Sequence, residues 1–553
     1  MTVSTCGTTL LRGKMNSSRK TTNIAADFVI YQKNTIFASE NSLTAVREAI
    51  LKKTSFIMKK KFITFILLAC CCIASAQGVK RPKLVVGVVV DQMRWDYLYY
   101  YYDKYGEGGL KRLLSEGYSC ENTMIPYVPT VTAIGHSCVY TGSVPCFTGI
   151  AGNSFQLNGR SVTSVTDTTV QAVGSDPKSK DGKCSPRNLL ANTIGDQLKL
   201  ATDFQAKVIG VALKDRASIL PAGHGANAAY WWDGQAGHFI SSTYYMDRLP
   251  QWVERFNKAN HTKPGFDIKT SNEGVTMTFK MAEEALRQEQ LGKDGITDLL
   301  AVSISSTDAI GHAYSTRGKE NYEVYMQLDK DLAHFLSVLD SEVGRGEYLL
   351  FLTADHGAVH NGNFMNAHKM PGGGHSSKPT IEKLNNRLGE KFGVAGKYVA
   401  GISDCRIYLD HEAIANNRLD LKEVKRATVD VLREDPQFAF AIDYDDISNA
   451  TIPQFLRERI INGYHRLRSG DLMIVLQGSH MYGTVGPDYK GTSHGTWNPD
   501  DSHIPLLFMG WNVKTGSTNK PTYMTDIAAT VCAMLHIQMP DCCIGNAIQE
   551  VWK

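Results

Sequence analysis

The chain has 553 residues, 43% of them hydrophobic and 21% charged. That is enough to bury a large core, and it excludes both a small disulfide scaffold and a wholly disordered chain. The formal net charge is +4, but residues 77–553 carry 48 Lys and Arg against 52 Asp and Glu, a balance of −4. Such a balance argues against nucleic acid as a stable partner, so any anionic ligand has to be met by a few placed cations.

In chain order, residues 1–57 carry no secretory pattern and read as an upstream mis-start of translation. From Met58 the sequence runs through Lys59-Lys60-Lys61, an apolar stretch Phe62–Ile73 and the small residues Ala74-Ser75-Ala76 before Gln77. A basic start, a short apolar middle and a small-residue cut site make 58–76 a signal peptide. The apolar run is shorter than the ~20 residues a membrane span needs. An exported, periplasmic protein without a transmembrane span is expected, with secretion or lipid anchoring through Cys70 as alternatives. Eight of the twelve cysteines come after residue 76. Their even number permits disulfides, their spacing matches no zinc ribbon, and their pairing cannot be read from the sequence.

Apolar, β-branched runs at Leu84–Val90, Ala206–Leu213, Leu299–Ser305, Tyr348–Thr353 and Ile504–Met509 read as strands buried on both faces. Helical patterns lie between them at Gly109–Glu116, Leu189–Ala201, Met281–Gln290 and Tyr322–Val343. The alternation predicts an α/β fold, a doubly wound, mostly parallel sheet with insertions capping the active-site rim. The core is placed at 77–359 and 491–553, with an insertion at about 217–275 that carries Trp231-Trp232, and a cap-like insertion at 360–490.

The chemistry is carried by the residues at the strand ends. Asp91 closes the first strand, Lys214 and Arg216 come after the second, Asp308 after the third, and Asp355-His356 after the fourth. Ligands of open α/β sheets bind outside the carboxyl ends of the strands, so these groups converge on one rim. Asp308 and His312 lie four residues apart, one helical turn. With Asp91, Asp355, His356 and His494 of Gly491-Thr-Ser-His-Gly-Thr496 they make three carboxylates and three imidazoles, a mixed set suited to two Zn2+ ions better than to calcium or magnesium. His136, His360, His375 and His503 are read as core or loop residues, and Trp95, Tyr97 and Tyr127 mostly as core or wall.

Thr132, in Pro129-Thr-Val-Thr-Ala-Ile-Gly-His136, precedes a helix-compatible stretch. A hydroxyl there sits where backbone N–H groups and the helix dipole favour an anion. A threonine hydroxyl is a poor nucleophile until something ionises it, and zinc lowers even water's pKa from 15.7 to ~7.

Together with Gly-Ile-Ala-Gly-Asn153 and Lys214-Asp-Arg216, these motifs resemble the alkaline phosphatase superfamily, and within it the phosphate-irrepressible, PafA-type enzymes, from about Leu84 to Met509. By that resemblance, Asp308, His312 and His494 would hold one zinc on the leaving-group side. Asp91, Asp355 and His356 would hold a second that also binds Thr132. Asn153, Lys214 and Arg216 would contact the non-bridging oxygens of small-molecule phosphate monoesters, split through a threonyl-phosphate by a monomeric enzyme. A monoester dianion offers three equatorial oxygens where a diester has one covered, so the Lys and Arg favour the monoester. The alternatives are a nucleotide pyrophosphatase or phosphodiesterase on the same scaffold, and a non-catalytic exported binder of phosphorylated ligands. Cys184-Ser-Pro-Arg187 has its arginine one place early for a sulfatase.

Overall fold

In a computed structural model the described residues are 40–74, 80–157, 159–179 and 181–553. They fall into two units, divided after Lys80. Of the first, the described part is one helix, Glu40–Ala74. Most of the expected mis-start and the Ser75-Ala76 end of the expected signal peptide lie outside the described residues. Among the described residues no helix is long and apolar enough to cross a membrane.

The second unit is built on a ten-stranded sheet. Its centre is five parallel strands: β1 (Leu84–Val90), β2 (Val208–Ala212), β3 (Ala228–Asp233), β4 (Asp298–Ile304) and β5 (Tyr348–Thr353), in the spatial order β5-β1-β4-β2-β3. Every residue of β1, β4 and β5 is buried, as runs of Val, Leu and Ile covered on both faces require. Outside this centre the sheet is mixed. β6 (Leu506–Gly510) runs antiparallel to β5, and His238–Ser242 runs antiparallel to β3. The segment expected as an insertion at 217–275 therefore contributes two strands to the main sheet, and Trp231 and Trp232 are buried in its core.

Four helices matter to the site: α1 (Thr132–Thr141), α2 (Asp215–Ala222) after β2, α3 (Ser306–Tyr314) after β4, and α4 (Lys319–Leu339). Within the 360–490 stretch, strands Val399–Ser403, Arg406–Leu409, Phe438–Asp443 and Leu472–Leu476 form a separate antiparallel sheet. It has its own apolar cluster around Leu384, Ile407, Val424 and Ile474. The Cys120, Cys138, Cys146, Cys184, Cys405, Cys532, Cys542 and Cys543 side chains are all free thiols.

Candidate active site

The carboxyl ends of β1, β2, β4 and β5 deliver the predicted groups to one place. Asp91 directly succeeds β1, Lys214 precedes the first residue of α2, Asp308 lies in the first turn of α3 with His312 one turn on, and Asp355 and His356 stand just past β5. His494 arrives on the loop after the second sheet. Two trios result, Asp308 with His312 and His494, and Asp91 with Asp355 and His356, the ligand atoms of each lying within 4.8 Å of one another. Five of the six residues are buried, His312 being the more open one.

The three imidazoles are set up alike. His356 Nδ1–H donates to the Gly357 carbonyl at 2.9 Å, His494 Nδ1–H to Thr130 at 2.7 Å, and His312 Nδ1–H to Thr492 at 2.9 Å. A backbone carbonyl only accepts, so each ring is fixed with its Nε2 lone pair turned inward, the arrangement metal-binding histidines use. His312 Nε2 lies 3.1 Å and His494 Nε2 3.7 Å from Asp308 Oδ1. His356 Nε2 lies 3.5 Å from both Asp91 Oδ1 and Asp355 Oδ2. Those two oxygens are buried and accept no hydrogen bond. A buried carboxylate oxygen without a donor is costly, and a cation between these atoms would satisfy both.

Charge points the same way. Burial, reinforced by the nearby Asp308 and Asp355, pushes the Asp91 carboxyl well above the usual range. Burial works against Asp308 too, but His312 and Lys214 outweigh it and hold its carboxyl well below. Burial lowers His356 and His494, keeping both rings neutral and able to donate to a metal. The only buried cation facing the three carboxylates among these groups is Lys214, whose Nζ sits 2.6 Å from both Asp91 Oδ2 and Asp308 Oδ2. One ammonium against three carboxylates leaves a deficit that divalent ions fit.

Thr132 opens α1 and is buried, with Oγ1 3.5 Å from both His356 Nε2 and Lys214 Nζ. Gly135 is what lets α1 come this close. A Cβ there would lie 2.3 Å from the Asp355 carbonyl oxygen. Asn153 Oδ1 accepts the Ala133 N–H at 2.9 Å, which commits the oxygen and leaves the amide N–H groups as its donors beside Thr132. Arg216 is half-buried, its Nη1 3.7 Å from Asp215 Oδ1 and its Nε without a partner. The structure thus brings the six trio residues together with Lys214 and Thr132, while Asn153 is bonded to the residue after Thr132 and Arg216 lies two residues beyond Lys214.

The family model of type I phosphodiesterases and nucleotide pyrophosphatases matches residues 85–497. A Myroides odoratus protein named a calcium-transporting ATPase is 45% identical over 88% of this chain and 99% of its own. Alkaline phosphatase PafA of Elizabethkingia meningoseptica is 44% identical over 86% of this chain and 95% of its own. The chain belongs to this family, as a PafA-type alkaline phosphatase. Crystal structures of PafA, wild type and a four-site variant, match the phosphatase with a TM-score of 0.82 and 43% identity, over 86% of this chain and all of theirs.

Three features of the phosphatase site escaped the sequence reading. His136, taken as a core residue, is fully buried, yet its Nδ1–H donates to the Thr132 carbonyl at 2.9 Å and lies 3.2 Å from Asp355 Oδ2, while Nε2 meets Ser303 Oγ at 2.7 Å. The signal was present. Thr132-Ala-Ile-Gly-His136 repeats the spacing of Asp308-Ala-Ile-Gly-His312. Gln92 touches Asp308 and Asp355. From the second sheet, the tight turn at Asp404-Cys405, both in left-handed backbone conformation, brings Arg406 to the carbonyls of Ala151, two residues before Asn153, and Gly463. Nothing local in the sequence announces that contact.

Proposed function

We propose that the phosphatase holds two zinc ions, one in each trio, and hydrolyses small-molecule phosphate monoesters through a phosphorylated Thr132. One observation carries the reading: two trios of mixed carboxylate and imidazole, one of them with two buried carboxylate oxygens that accept no hydrogen bond, lie beside a buried threonine hydroxyl at a helix N-terminus. Zinc bound there would supply Lewis acidity, lowering the pKa of the hydroxyl and taking up charge on the departing oxygen.

The chain's own groups do the rest. Thr132 Oγ1 forms the bond to phosphorus in line as the ester P–O bond breaks and the alcohol departs. Asn153, Lys214 and Arg216 meet the equatorial oxygens, so positioning and fixed charge hold the transferring group. Attack by water on the threonyl-phosphate releases inorganic phosphate and restores the hydroxyl. The solved PafA variant is changed at a threonine, an asparagine, a lysine and an arginine, with the first pair 21 residues apart and the second pair two apart. Thr132 and Asn153, and Lys214 and Arg216, have the same spacings, which supports these four as the working set. Export through residues 58–76 and a monomeric state complete the proposal, resting on the sequence pattern alone.

Thr132→Ala tests the centre of it. Turnover of an aryl monoester should fall to background, while zinc content and melting temperature stay near those of the unaltered protein. Retained turnover would remove the nucleophile assignment. A faster reaction with an aryl diester than with its monoester would move the phosphatase to the diesterase reading.

A further inference from the structure

Gln92 comes directly after Asp91, and its backbone stands at φ 64°, the left-handed region that a non-glycine residue occupies only when its surroundings hold it there. Two bonds come from this one residue. Its backbone N–H donates to Asp355 Oδ1 at 3.1 Å, and its side-chain Nε2 donates to Asp308 Oδ1 at 2.6 Å. The side chain is buried and closely confined, since a Cβ at Gly311 would fall 2.0 Å from its Oε1. Asp355 and Asp308 belong to different trios. Among the described residues no other is bonded to a carboxylate of each trio in this way except Lys214, whose partners are Asp91 and Asp308.

We propose that Gln92 is a positioning residue common to both metal sites, fixing Asp355 through its backbone and Asp308 through its amide, so that a single strained residue sets the orientation of one carboxylate in each trio. With the Asp355 Oδ1 engaged by the N–H groups of Gln92 and His356, Oδ2 is left for a metal. With Asp308 held by Gln92 on Oδ1 and by Lys214 on Oδ2, its carboxylate plane is fixed. Hydrogen-bonded partners of ligating carboxylates are worth about 10–100-fold in metal affinity. The left-handed backbone is what lets the amide and the backbone N–H serve different sites.

The inference rests on the two-zinc reading, and the experiment separates the two. The metal-free full chain is titrated with zinc by calorimetry, as the unaltered protein and as Gln92→Gly, which keeps the backbone N–H and suits the left-handed conformation. Gln92→Asn, also tolerant of that backbone but too short to reach Asp308, is the second variant. Both variants should bind one ion within about twofold of the unaltered protein and the other about 10–100-fold more weakly. In an Asp308→Ala background, adding Gln92→Gly should leave the affinity of the remaining site within about twofold, because the partner of the amide is already gone. The metal-free melting temperature of Gln92→Gly should not fall. Two ions bound as tightly as before, or both weakened equally alongside a lower metal-free melting temperature, would overturn the role of Gln92. An unaltered protein that takes up no zinc would instead overturn the two-zinc reading.

Discussion

Lys214 shows how one residue serves two ends. Its ammonium lies 2.6 Å from a carboxylate of each trio and 3.5 Å from Thr132 Oγ1. Burial works to lower its pKa, but Asp308 and Asp91 outweigh that and hold it above the usual range, so it stays charged. Arg216, two residues on, carries the second positive charge. Replacing both, Lys214→Ala with Arg216→Ala, should reduce monoester turnover far more than diester turnover, because only the dianion presents the oxygen they address. Equal losses in the two kcat/KM values would deny them that selecting role. His136→Ala removes the donor to the Thr132 carbonyl and the ring beside Asp355 Oδ2, and should cost about 10–100-fold in zinc affinity at the Asp91, Asp355 and His356 trio, read by zinc titration. Unchanged affinity would make His136 a packing residue only. The trio residues were legible because strand ends advertise them. Gln92 was not, because a buried Gln gives no local sign of the carboxylate it will face, and His136 was signalled only by its repeat of the Asp308–His312 spacing.

At the scale of elements, apolar runs gave strand positions where both faces are covered. The bounds of Leu84–Val90 and Tyr348–Thr353 were read to the residue. The alternation with helices predicted the parallel direction of the centre, but not the direction of the last run. The run Ile504–Met509 is split by Pro505, which donates no hydrogen bond. Ile504 pairs with Thr123 in a small separate sheet, and Leu506–Gly510 turns antiparallel to β5. The helix expected at Leu189 begins at Ile194 because Thr193 and Asp196 form a reciprocal capping box that fixes the start. The loop after β5 carries a titratable feature of its own. Burial, with the cations of Arg94 and Arg317 adding to it, brings His360 down to about 3, and its Nδ1 meets Thr316 Oγ1 at 2.8 Å. The unfolded chain therefore takes up this proton first. Its contribution to stability is complete above about pH 6.5 and drains away as the pH falls towards 3. His360→Gln should flatten the loss of melting temperature between pH 7 and pH 4 relative to the unaltered protein; parallel curves would show that His360 is not part of the acid response.

Taken as a whole, the molecule brings side chains from residue 91 to residue 494 into contact across one sheet and a loop that returns from a second apolar core. Sequence order announces the groups, but their convergence is a property of the sheet. Strands β1, β4 and β5 are hydrogen-bonded neighbours, so their carboxyl ends lie side by side and three carboxylates crowd together. Folding such a site works against like-charge repulsion that Lys214 alone cannot cancel. Ions that bind the folded chain and not the unfolded one stabilise it by mass action, about 2.7 kcal/mol at a hundredfold excess over Kd. Removing metal with a chelator should accordingly lower the melting temperature and abolish phosphate release together, and zinc should restore both while magnesium restores neither in full. The two effects must travel together, because the same buried Asp91 and Asp355 oxygens that lack a donor in the folded chain are the ones proposed to face the ions. A chelated protein that melts where the loaded one does would mean that the carboxylates are neutralised by protonation instead, and that the trios are not metal sites.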